Sequence, residues 1–202
     1  NYGRTPVYDR LALSTGVTPE PPETAALTED LVAALRRDAG APEVWETDLG
    51  AARADLRRVT ERLEGRPPAL PRHVKRTPPG FLIFTGQATG LIVPWTLEAF
   101  VDRALPYPVA LATALHEHAH VAGYAGEAEA DFVAALAGLG SDNPSVRYAV
   151  ALHLFLRAAQ SLPQGRYRTL FEGLPARAQA DIAALGEAYR RHRAPQLLTG
   201  VQ

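Results

Sequence analysis

The sequence predicts an α+β domain that is mostly helical and carries one small sheet. Three observations predict this class. Several long segments rich in Ala, Leu, Arg and Glu start near hydroxyl, acidic or proline residues and stop at glycine, which is how helices are punctuated. Two short apolar runs, 81–84 and 90–93, read as strands joined by a turn. The chain has 202 residues with no evident repeat or low-complexity tract, a length that suits one domain with a proper core.

Residues 1–23 are rich in Pro, Gly and Thr and read as a linker or a strap on the surface of a single domain spanning 24–202. Thr28-Glu29-Asp30 starts a helix that runs to about Asp38 and stops at Gly40. A second helix covers about Thr47 to Glu64, with Leu49, Leu56, Val59 and Leu63 on its apolar side and Gly65 as its stop. The prolines of 65–79 suggest a rigid connector. After the two strands, Thr96 to Arg103 reads as a short helix leading into a longer one that Pro108 opens and Gly123 ends. Three further helices are expected over Glu127–Leu139, Ser145–Leu162 and 176–192, with loops around Pro163, Gly165, Gly173 and Pro175.

Composition excludes several classes. The net charge of −1 gives no nucleic-acid or anionic-membrane footprint. No cysteine is present, so neither a disulfide framework nor a thiolate metal site is available. No apolar run is long enough to span a bilayer.

The chemistry concentrates in residues 115–132, Leu-His-Glu-His-Ala-His-Val-Ala-Gly-Tyr-Ala-Gly-Glu-Ala-Glu-Ala-Asp-Phe. His116 and His120 are one helical turn apart on one face, where both imidazoles can reach a single Zn²⁺ at about 2.0–2.1 Å. Glu117 follows the first of them and is placed to take a proton from water at the open coordination position. His118 falls on the far side of the helix and reads as a surface or packing histidine. A catalytic zinc site needs a third protein ligand. Glu127 opens the next helix, and Asp131, one turn on, shares its face and is placed to accept a hydrogen bond from a ligand histidine. That pairing favours Glu127, with Glu129 as the rival ligand. A solvated acidic start to the helix is the bland alternative for both.

H-E-x-x-H followed closely by E-x-x-A-D is similar to the gluzincin clan of zinc metallopeptidases, in a compact, minigluzincin-type arrangement. The chain resembles more closely a bacterial family of membrane-associated proteins. The match rests on Asn1-Tyr2-Gly3-Arg4, Pro94-Trp95-Thr96-Leu97-Glu98-Ala99, His116 to His120, Glu127 to Phe132, and Arg147-Tyr148. That family more often has Asn at the position of Asp131, while Asp is usual in the wider clan.

The resemblance implies a gluzincin-like core with one Zn²⁺ per chain on His116, His120 and Glu127. It also implies transmembrane helices preceding Asn1 in the full-length protein, with the membrane side open. In this clan a small sheet lies over the zinc helix and its edge strand binds substrate by strand addition, which makes Gly90–Val93 or its neighbour the candidate edge, against a plain structural hairpin. Tyr148 is a candidate for holding an oxyanion, against a plain core tyrosine. Arg147 reads as a structural ion pair with Asp131 or Glu129 more than as a ligand for a substrate carboxylate. His153 reads as a packing histidine. The expected activity is hydrolysis of peptide bonds in a peptide or protein substrate. The alternatives are a latent zinc-binding scaffold and a hydrolase of a non-peptide amide. Oligomeric state is left open.

Overall fold

A computed structural model describes residues 5–13, 21–86, 88–93 and 95–192. Asn1–Arg4, Pro94, Gln87 in the expected turn and residues 14–20 of the expected strap lie outside them. The elements in chain order are α1 (Val7–Arg10), α2 (Pro21–Asp38), α3 (Trp45–Glu64), β1 (Lys75–Thr77), α4 (Phe81–Gly86), β2 (Gly90–Val93) and β3 (Glu98–Asp102). Then come α5 (Tyr107–Val121), α6 (Glu127–Leu139), α7 (Pro144–Ala159), α8 (Gln164–Glu172) and α9 (Ala176–His192). The fold is thus α+β, mostly helical, with one three-stranded sheet. Among the described residues no helix is long and apolar enough to cross a membrane.

The centre of the molecule is α5. From Pro108 to Leu115 every residue is buried, as expected of a helix apolar all round rather than along one stripe. It packs against α3, α6 and α7 on its sides and lies beneath β2 and β3. Pro106 precedes it and Pro108 takes its second position, one later than the sequence suggests. Gly123, at φ 106°, turns the chain after its end, a conformation that favours glycine.

In the sheet, β3 lies between a parallel β1 and an antiparallel β2. The register places Gly90 opposite Val101 and Val93 opposite Glu98. Among the described residues β2 pairs with β3 alone, so it forms an edge.

Several sequence expectations are corrected here. The run Phe81–Phe84 is helical, not a strand. The buried carboxylate of Asp102 accepts the backbone N–H groups of Gly80 at 2.6 Å, Leu82 at 2.8 Å and Ile83 at 3.4 Å, along with that of Ala104 at 2.8 Å. An acceptor twenty residues away therefore satisfies the donors that open α4. The expected helix 96–103 is instead strand β3, which buries Ala99 and Val101 and is paired along both edges. The hairpin is accordingly β2–β3. The proline-rich connector contributes β1, and the expected loop after Pro163 holds α8. Finally, α2 begins at Pro21, well before Thr28. The Thr28 hydroxyl is buried in the helix and donates to the carbonyls of Thr24 and Ala25, a back-bonding use of threonine rather than a cap.

Candidate metal centre

Close packing of α5 on α6 sets the site. His116 Nε2 and His120 Nε2 lie 3.0 Å apart. The Glu127 carboxylate places Oε2 at 3.2 Å from the first and Oε1 at 3.5 Å from the second. Four donors held tetrahedrally at about 2.0–2.1 Å from a zinc ion stand roughly 3.3–3.4 Å from one another. The two Glu127 distances run to different oxygens of its carboxylate; with one donor atom from each residue, His116, His120 and Glu127 lie within 4.8 Å of one another and form a possible metal-binding group.

Each histidine is oriented through its other nitrogen. His116 Nδ1 lies 2.8 Å from Asp131 Oδ1, and His120 Nδ1 lies 2.8 Å from the carbonyl oxygen of Tyr124. With Nδ1–H of His120 directed at the Tyr124 carbonyl, its Nε2 is left free to accept a metal, while Asp131 stands at ion-pair distance from His116 Nδ1. Burial by itself would lower the His116 pKa; hydrogen bonding to Asp131 and the charges of Asp131, Glu117 and Glu127 outweigh it, and the net shift is upward. Burial would raise Asp131, but His116, His153 and Arg157 hold its carboxyl well below the usual carboxylate range. Arg157 Nη1 is 3.0 Å from Asp131 Oδ2, and His153 Nε2 is 3.8 Å from Oδ1.

Glu117 sits at the head of a cleft of about 810 Å³ and is 6% exposed. Burial is the main reason its pKa is pushed up to about 7; His116 pulls it down and Glu127 pushes it further up. Gly90 lies directly over it. A Cβ at Gly90 would come 2.7 Å from Glu117 Oε1 and 2.6 Å from Thr113 Cγ2, so only glycine lets the edge strand approach the helix this closely. Gly90, Leu91 and Ile92 of β2 form one wall of the cleft, and His153, Arg157 and Tyr189 stand across from them. A second cavity of about 690 Å³, lined largely by Val109, Leu156, Leu162 and Leu185, continues from it past Thr89, Thr113 and Tyr189.

Of the residues singled out by the sequence, the structure brings together His116, Glu117, His120, Glu127 and Asp131. It does not bring Tyr148. That side chain is fully buried, its hydroxyl donates to Asp181 Oδ2 at 2.7 Å, and the Arg177 guanidinium covers its ring at 4.3 Å. Burial, then Asp181, raises its pKa and keeps it protonated. It is a core tyrosine outside the cleft, because on α7 it faces away from the side that meets α6. Glu129 is not a third donor; it accepts the backbone N–H of Val7 at 2.6 Å. Arg147 makes a structural pair with Asp38, at 2.7 and 3.0 Å, rather than with Asp131 or Glu129. His118 is fully buried, and neither ring nitrogen has a hydrogen-bond partner.

The sequence reading set His153 aside as a packing histidine and missed Arg157; both line the cleft. Their i, i+4 spacing on α7, one turn apart like the metal histidines, was the signal available for them. Tyr189 is contributed by α9 and carried no local signal.

A family model described as "Protein of unknown function (DUF3810)" matches residues 1–199. The chain belongs to this family. Neither the curated proteins nor the solved structures gave a match. Family membership thus covers nearly the whole chain, and the chemistry has to be argued from the site.

Proposed function

We propose that this DUF3810 member is a zinc-dependent peptide hydrolase with a gluzincin-like arrangement of ligands. The observation that carries the reading is the convergence of His116, His120 and Glu127, with one donor atom of each within 4.8 Å of the others, beside a buried carboxylate in an open cleft. The donor set fits zinc: two imidazoles and one carboxylate, the three protein ligands a catalytic zinc site uses. One Zn²⁺ per chain would supply Lewis acidity and lower the pKa of water at that position.

The rest falls to the chain's own residues. Glu117 accepts the proton of the attacking water and delivers it to the leaving amine. Asp131 keeps the His116 ring oriented, and the Tyr124 carbonyl does the same for His120. Among the described residues β2 has a strand partner on one side alone, and it lines the cleft, so an extended peptide can add to the sheet above Glu117. A peptide or protein is the substrate class this geometry favours. Membrane association of the full-length protein rests on the sequence resemblance that includes Asn1–Arg4.

The test is metal analysis of purified protein with a peptide-library cleavage assay on wild type and Glu117→Gln. The expected result is one zinc per chain in both and cleavage by wild type alone. Zinc without cleavage in either would support the latent scaffold, and full activity of Glu117→Gln would remove Glu117 as the base.

A further inference from the structure

Glu127 is the exposed member of the metal group. Its carboxylate reaches the two histidines while the rest of its side chain faces solvent. Its position therefore depends on where the first turn of α6 and the preceding loop are held. Gly126 precedes α6 and has no side chain with which to cap it.

Two contacts from the N-terminal segment fall on these elements. Val7 is fully buried in the core, and its N–H donates to Glu129 Oε1 at 2.6 Å, within the first turn of α6. Arg10 Nη2 pairs with Glu64 Oε1 at 2.7 Å, and its Nη1 donates to the Leu63 carbonyl at 3.2 Å. The same Glu64 oxygen accepts the Tyr124 hydroxyl at 3.0 Å. Tyr124 is fully buried in the α5–α6 loop, and its carbonyl faces His120 Nδ1. One contact thus reaches the helix that carries Glu127, and the other reaches the carbonyl that orients His120.

We propose that the segment Pro6–Arg10 positions the metal ligands, acting on Glu127 through Glu129 and on His120 through Glu64 and Tyr124. This rests on the metal-centre reading above. Glu129 and Arg10 are positioning residues, and the metal site is complete only with the N-terminal segment docked. Groups that hydrogen-bond a metal ligand directly change metal affinity by about 10–100-fold when lost; Glu129 and Arg10 stand one contact further out, so the lower end of that range is expected.

The experiment compares wild type with Glu129→Ala, Glu129→Gln, Arg10→Ala and Arg10→Lys, with Arg168→Ala as a control at a surface ion pair remote from the site. Zinc affinity is read by competition with a chromophoric chelator, ligand geometry by the visible spectrum of the cobalt(II)-loaded protein, and apo-protein Tm by thermal melting. The expected result is zinc affinity weakened about tenfold in both alanine variants, with a shifted cobalt spectrum. Glu129→Gln and Arg10→Lys, which keep an acceptor and a cation, recover most of both, and Arg168→Ala matches wild type. Alanine variants with wild-type affinity and spectrum overturn the proposal, even if their Tm falls, because that pattern is a structural role alone. If Arg10→Ala does not fold, the Glu129 pair decides. Wild type that takes up no zinc overturns the metal-centre reading itself, an outcome visible before any variant is compared.

Discussion

His116 and His118 sit two residues apart on α5, and their rings meet opposite surroundings. On the face toward α6, His116 has Asp131 at one nitrogen and the converging donors His120 and Glu127 at the other. On the opposite face His118 is sealed in the core with both nitrogens unpartnered, and burial, with Arg53 adding to it, pushes its pKa down to about 4. One helix thus carries an imidazole facing carboxylates and another that burial keeps neutral at neutral pH. The difference comes from what each face is packed against, not from the helix. The His116 ring has carboxylates within ion-pair distance of both nitrogens, whereas His118 has no hydrogen-bond partner at either, and an unpartnered buried polar group weakens the fold.

The contrast is sharpened most by removing the base on the recruited face. Glu117→Gln is expected to keep zinc and lower turnover by about 10²–10⁴-fold, the usual worth of general acid–base catalysis. Equal zinc content with near wild-type kcat would show that Glu117 is buried for packing alone. Gly90→Ala tests the same face from above. Its Cβ would collide with Glu117 and Thr113, so the carboxylate must move. A loss of about a hundredfold in kcat/KM is expected, since misplacement of roughly 1 Å costs that much. An active Gly90→Ala protein would mean that the edge strand yields more readily than the close packing implies.

Asp131→Asn addresses the partner of His116. The amide can still accept a hydrogen bond but no longer carries the charge facing His116, His153 and Arg157. Zinc affinity is expected to fall by about 10–100-fold, measured by chelator competition. An unchanged affinity would make Asp131 a purely structural anion.

Which of these features were legible in the sequence follows from how local their causes are. His116, Glu117, His120, Glu127 and Asp131 were legible because helical spacing alone puts them on facing sides of two adjacent helices. The exclusion of His118 as a ligand followed from the same geometry. Its complete burial did not, because that depends on packing against α3 and on the other neighbours of α5. Tyr148 was misplaced by resemblance, although its distance of five residues from His153 already put the two on different faces of α7. The exchange of helix and strand around Gly90 has one non-local cause. Asp102 ends β3 and at the same time satisfies the amides that open α4, and neither Phe81–Phe84 nor Thr96–Arg103 shows that in its own composition. Tyr189 and the docking of Val7 on Glu129 likewise bring together segments far apart in the chain.

The smallest expected effect belongs to the back face of α5. His118 has a folded-state pKa near 4, below the roughly 6.5 of an unfolded chain. As pH falls below about 6.5 the unfolded state takes up a proton that the folded state refuses, so stability declines from there toward pH 4. The His118 share of the loss between pH 7 and 5 is expected to be about 1–2 kcal/mol, read as the difference between wild type and His118→Leu in denaturant titrations of the apo proteins, since the raised pKa values of His116 and Glu117 act in the opposite direction. His118→Leu should remove this slope and, because it deletes two unpartnered buried nitrogens, raise stability at pH 7 by about 1 kcal/mol. Zinc affinity should be unchanged, since the ring faces away from the site. If the variant instead lost zinc, the two faces of α5 would not be independent, and the rigidity of the metal pair would depend on the shape of the side chain behind it.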